Sequence, residues 1–191
     1  GGAVANDVHG KNHHRAGSMG CAVLSLGLLR SDTAYQRLLP GDPLFRATIG
    51  GLGLTGVITD VEIALTPIRS AFLDVERIPY GNIKEFFDIA RDSVDGFEHT
   101  VSWIDCANGN QSLGRGIFQR ANWCEDNALV PHRSSGWMAM PCDLPAYPLN
   151  STTIQLCNNV YNRLQQRGNP RPRTQYAPLF SSPGSIPYWY H

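Results

Sequence analysis

Neither sign of charge predominates in this sequence: sixteen lysines and arginines stand against sixteen aspartates and glutamates. A chain without an overall field is not drawn to nucleic acid or to an anionic bilayer, so charge names no partner and nucleic acid is not expected. Long apolar runs are missing too. The longest, residues 21–29, falls far short of the roughly 20 residues a spanning helix requires, so no transmembrane segment is expected. Cysteine is sparse and scattered. Cys21, Cys106, Cys124, Cys142 and Cys157 are odd in number and form no CxxC pair, which argues against a disulfide framework and a thiolate zinc site. No charged n-region precedes an apolar h-region, so a reducing, cytoplasmic setting is the default. Without a leader, the N-x-S/T matches at Asn110 and Asn150 are taken as chance. No internal repeat is present.

What is present is ample apolar material. At 191 residues and 42% apolar content, the chain can build one medium domain or parts of two. Residues 1–20 are rich in Gly, Ala, His and Asn, lack helical periodicity and read as a loop whose backbone lies close to a ligand. Residues 21–30 and 34–39 flank the polar Ser31-Asp32-Thr33 turn and read as a β-hairpin. Asp42-Pro43 supplies an N-cap and an N1 proline, and Gly50-Gly51 a stop, so residues 43–49 should form a short helix. Residues 57–65 alternate, with Val57, Thr59, Val61, Ile63 and Leu65 on one face of a strand and Asp60 and Glu62 on the other.

Thr66-Pro67 punctuates the chain and the pattern changes beyond it, which places a domain boundary near Ile68. Residues 71–78 read as a strand, and residues 83–93 as a helix burying Phe86, Phe87, Ile89 and Ala90. Residues 98–106 and 114–121 read as strands joined through a turn at 107–110. Composition then shifts to proline and polar residues until 149–166, where Leu149, Thr153, Leu156, Val160 and Leu164 give an amphipathic helix. The aromatic stretch 176–191 has no periodic element of its own. The fold class is α+β.

Two segments invite chemistry. Gly51-Leu52-Gly53-Leu54-Thr55-Gly56 matches the G-x-G-x-x-G pattern of dinucleotide sites, but a helix precedes it and a strand follows, the reverse of that motif's context. It reads as a tight helix-to-strand turn, able to lie against a flat cofactor. His9, His13 and His14 could form a metal cluster, a set of hydrogen-bonded histidines, or part of a cofactor-contacting loop. Gly10 argues against a helix there and Asp7 is the sole carboxylate nearby, so no metal is assigned.

The run from Gly1 to His14, Gly1-Gly2-Ala3-Val4-Ala5-Asn6-Asp7-Val8-His9-Gly10-Lys11-Asn12-His13-His14, followed by Ala16-Gly17-Ser18, resembles the decaprenylphosphoryl-ribose 2′-oxidase family. That family lies within the vanillyl-alcohol oxidase and p-cresol methylhydroxylase superfamily of FAD enzymes. A second block matches in order and spacing, from Leu44-Phe45 through Ala47-Thr48-Ile49-Gly50-Gly51 to Leu54-Thr55-Gly56-Val57-Ile58. A weaker third is Ser102-Trp103-Ile104-Asp105 with Leu113-Gly114-Arg115-Gly116.

The resemblance implies residues 1–68 as the second part of a PCMH-type FAD-binding domain and 69–191 as the start of an α+β substrate (cap) domain. It implies non-covalent FAD along Gly1, Gly2, Asn6, Asp7, Val8, His9, Gly10 and Ile58, and a substrate pocket lined by Lys11 and Trp103. Asn6 stands where the family carries cysteine, a change that a backbone contact would survive. The implied reaction is oxidation of a CH–OH group, on a sugar or polyprenyl-phosphate sugar, by hydride transfer to flavin. Peripheral membrane association and a reductase or epimerase partner subunit would be compatible with it. The family's phosphate loop lies before Gly1 and its catalytic lysine in a later segment, so this internal fragment alone is expected to be inactive and no catalytic residue is assigned within it. The alternative is a non-catalytic remnant or binding protein on the same scaffold.

Overall fold

The polar break after Arg30 turns the chain back on itself. β1 (Val23–Leu29) and β2 (Tyr35–Leu38) pair antiparallel, with Leu26 opposite Leu38 and Leu29 opposite Tyr35. The Asp32 carboxylate holds the turn by accepting the Ala34 amide at 3.0 Å. This is described in a computed structural model covering residues 1–107, 113–131, 150–168 and 170–175. The sequon at Asn110, most of the turn at 107–110 and the aromatic stretch 176–191 lie outside those residues. The chain divides into two compact units, Gly1–Pro67 and Ile68–His191.

In the first unit α4 (Pro43–Thr48) begins on its proline as expected, but Asp42 does not cap it and instead accepts the Leu39 amide at 2.7 Å. β3 (Val57–Ile63) joins the free edge of β1, giving the antiparallel order β2-β1-β3. The expected alternation along β3 is broken. Gly27 lies opposite Asp60 while Leu28 lies opposite Ile58, so Thr59 is an extra residue in a β-bulge. The bulge lets Ile58 and Val61 both face the core and leaves Val57 exposed, while Leu65, beyond the end of the strand, is exposed as well. Around them pack Val4, Val23, Leu26, Leu28, Leu38 and Phe45.

Residues 1–20 were expected as loop, with a strand from Cys21, and the chain instead forms three single-turn helices, α1 (Gly2–Ala5), α2 (His13–Ala16) and α3 (Met19–Ala22). One turn is too short to show a period in sequence. Burial of Val4 in the core ties α1 down.

The second unit is a four-stranded antiparallel sheet in the order β5-β6-β4-β7, from β4 (Phe72–Tyr80), β5 (His99–Ile104), β6 (Gly116–Trp123) and β7 (Arg173–Gln175). β7 was not foreseen, because it is three residues long and follows a proline-bearing stretch. α5 (Ile83–Ser93) is capped by Asn82, whose side chain accepts the Lys84 and Glu85 amides at 3.0 and 3.1 Å. Phe87, expected inside, is 58% exposed, since Phe86 already fills the space against Tyr80 and Phe118.

α6 (Ser151–Arg167) starts with a capping box in which Asn150, half of the second N-x-S/T match, accepts the Thr152 and Thr153 amides. Its orientation reverses the expectation: Leu156 and Leu164 are more than three-fifths exposed, and Asn162 is buried. The reason is a polar network beneath the helix, described below.

Candidate functional site

In the first unit the two sequence blocks meet at α1. The carbonyls of Val4 and Ala5 accept the amides of Gly50 and Leu52 at 3.1 and 2.8 Å, fastening the glycine turn to the first helix. Gly51 fits because any β-carbon there would overlap the Ala47 carbonyl of α4. The turn links α4 to β3, which is the helix-to-strand context read from sequence. Gly1 lies beside Ile58, a β-carbon built on it falling 3.9 Å from the Ile58 side chain. Gly2 faces open space, with no heavy atom within 4 Å of where its β-carbon would be. The structure therefore brings Gly1 beside Ile58 and leaves Gly2 facing open space.

Beyond α1, Asn6 donates back to the Gly2 carbonyl at 2.9 Å. Asp7 has left-handed backbone, φ 45°. One of its carboxylate oxygens accepts the Ser18 hydroxyl at 2.8 Å, and the other the Gly20 amide at 2.7 Å. The Val8 carbonyl accepts the Met19 amide at 2.8 Å, and His9 bridges to Ser18. Residues 8–17 thus leave and return through one closed mouth, with Gly10 and Lys11 on the excursion.

His9 and His13 each bring Nδ1 to the Gly10 carbonyl, at 3.3 and 3.2 Å, and their rings lie 4.7 Å apart. In the tautomer that donates from Nδ1, each Nε2 is an acceptor. Among the described residues no group of three or more His, Cys, Asp or Glu side chains is placed to share a metal ion. Lys11 is half-buried, and desolvation pushes its amine below the ordinary lysine range.

Trp103 belongs to the second unit, on β5. Its ring packs at 4.9 Å on that of Tyr161 from α6, which makes it an apolar wall held from behind. Burial raises the Tyr161 phenol above its usual range. Its neighbour Ser102 bonds the Tyr80 hydroxyl at 2.7 Å, and burial raises that phenol too.

Just past the end of β5 lies Asp105, fully buried, whose carboxylate accepts Arg115 Nε and Nη2 at 3.0 and 2.9 Å, Asn158 at 2.7 Å and the Ala107 amide at 3.0 Å. Arg115 also reaches Asn159, and Gln155 donates to the Ala107 carbonyl at 2.9 Å. A buried carboxylate demands such donors, and α6 supplies them from its polar face. Sequence reasoning singled out Ser102, Asp105 and Arg115 only as parts of a weak motif. It passed over Gly20, Asn158 and Tyr161, which carry no local signal of their partners.

No family model matches the chain. Over 126 residues it is 36% identical to the decaprenylphosphoryl-beta-D-ribose oxidase of Mycolicibacterium smegmatis (strain ATCC 700084 / mc(2)155), a match covering 64% of this chain and 27% of that protein. It is also 32% identical over 148 residues, 78% of this chain and 40% of the relative, to a Streptomyces coelicolor protein described as "Uncharacterized protein in mprA 5'region". The chain therefore spans 27% and 40% of the lengths of these curated relatives. No helix among the described residues is long and apolar enough to cross a membrane.

Proposed function

We propose that this chain is part of an FAD-dependent oxidoreductase acting on a CH–OH group, with residues 1–68 in a PCMH-type flavin domain and 69–191 opening a substrate domain. One observation carries the reading: the two glycine-containing blocks that resemble flavin-oxidase sequence are hydrogen-bonded together at α1, where Gly1 lies beside Ile58 and Gly2 faces open space. The identity shared with a polyprenyl-phosphate-ribose oxidase supports it and makes a sugar on a polyprenyl phosphate the first substrate class to try.

The residues present fit non-covalent FAD. Gly1, Gly2, Asn6, Val8, His9 and Gly10, all exposed, and the half-buried Asp7 would line it, and Ile58 would meet it from β3. When bound, the flavin would accept the hydride that leaves the alcohol carbon. Lys11 would hold an anionic phosphate as a point charge, strengthened by the partial desolvation that already lowers its amine. Trp103, braced by Tyr161, would exclude water from one side of the sugar. His9, whose Nδ1 is turned to the Gly10 carbonyl, would orient or contact the cofactor, and it is not assigned as the base.

The test is the visible absorption spectrum of the full-length gene product before and after acid precipitation. Flavin bands that appear in the supernatant are the expected result. A colourless protein that is indifferent to added FAD would overturn the proposal and leave a non-catalytic binding protein on this scaffold.

A further inference from the structure

Asp7 sits at the mouth of the excursion that carries His9, Gly10 and Lys11. Its left-handed φ of 45° is unfavourable for a residue with a β-carbon, though Asp and Asn tolerate it best. Such a conformation persists where surrounding contacts over-determine it. Here both carboxylate oxygens are engaged, one with the Ser18 hydroxyl and one with the Gly20 amide. Charge-assisted bonds of this kind are stronger than neutral ones. They span eleven and thirteen residues of sequence and close the same mouth as the Met19 amide to Val8 carbonyl bond. Glycine is what fits at position 20, since a β-carbon there would press on Ile49 and on Asp7 itself.

We infer that Asp7 is a positioning residue: by joining Ser18 to Gly20 it sets the mouth of the 8–17 loop, and through that mouth the placement of His9 and Lys11. The inference rests on the flavin reading for its purpose, but the staple itself is a property of this chain. An asparagine at position 7 keeps the left-handed preference. Its carbonyl oxygen can accept the Gly20 amide while its NH2 donates to Ser18 Oγ, because a hydroxyl both donates and accepts. Alanine can do neither.

Hydrogen exchange of the full chain, read peptide by peptide, compares Asp7→Ala and Asp7→Asn with the parent. In Asp7→Ala, amides of residues 8–20 should exchange faster by on the order of tenfold, with β1, β3 and α4 unchanged, and Asp7→Asn should restore most of the protection. An unchanged loop would overturn the inference, as would faster exchange throughout the first unit, the sign of a merely structural residue. In parallel, FAD is titrated into the full-length gene product. A loop competent a tenth of the time weakens binding about tenfold in Asp7→Ala, with Asp7→Asn within about threefold of the parent. Parent-like affinity in Asp7→Ala despite a loosened loop would also overturn the positioning role. Should the parent itself not bind FAD, the flavin reading fails, while the exchange measurement still decides the staple.

Discussion

Asp105 carries its charge at zero solvent exposure, and four hydrogen bonds to its carboxylate make that tolerable. Cutting such a pair from one side leaves the other stranded. Asp105→Ala should therefore destabilise the second unit by about 3 kcal/mol, seen as a lower urea midpoint with little change in slope. A loss below about 1 kcal/mol would show that water reaches Arg115 and replaces the carboxylate. Other residue roles were open to inspection in the sequence. Gly51 was visible as part of a turn, while the cap that Asn82 puts on α5 was not read from sequence. Nothing local marked Asp7 as a partner of Gly20, because that bond depends on where the chain returns.

At the scale of elements, α6 shows how far a tertiary demand can override a pattern. Its stripe through Leu156, Val160 and Leu164 was legible as the apolar face of an amphipathic helix, yet all three are exposed. The buried Asp105–Arg115 pair needs donors and acceptors above it, and the Asn158, Asn159 and Gln155 side of the helix supplies them. In this chain Val160→Gln should shift stability by no more than about 0.5 kcal/mol, whereas Asn158→Leu, which removes a donor to a buried carboxylate, should cost about 2 kcal/mol. Thermal unfolding of the two variants side by side checks the contrast. β3 offers the parallel case, where one bulged residue, Thr59, undoes a clean alternation.

Glu76 links β4 to β6, with Arg120 as its principal partner and Arg171 as a second, and the hydrogen bond from Arg120 holds its carboxyl below the ordinary value of 4.5. A carboxyl so depressed stabilises the fold fully above its unfolded value and loses that contribution as pH falls through the folded one. The stability difference between the parent and Glu76→Gln should thus be largest near neutral pH and shrink as pH drops below 4.5. Denaturation curves across that range would show it, and a constant difference would exclude the ion pair as its source.

For the molecule as a whole, each unit carries its own apolar cluster, Leu26 and Leu28 in one and Leu73 and Val75 in the other. Leu73→Ala should cost the second unit about 3 kcal/mol. Hydrogen exchange should quicken along β4 and β6 while β1 and β3 keep their rates. Exchange that rises equally in both units would mean that they unfold together.

The amino-acid order by itself determined the local elements: the hairpin around Asp32, α4 between Pro43 and the paired glycines, α5 after Asn82, and the break at Pro67. Propensity, capping and turn chemistry act over a few residues and are written there. It also displayed the glycine-containing blocks from which a flavin site is proposed. Only the tertiary structure decided that Gly50 and Leu52 bond to α1, that Asp7 closes the loop at Ser18 and Gly20, and which face of α6 is turned inward. Those outcomes turn on satisfying buried polar groups with partners many residues away, and no short stretch of sequence records the distance between them.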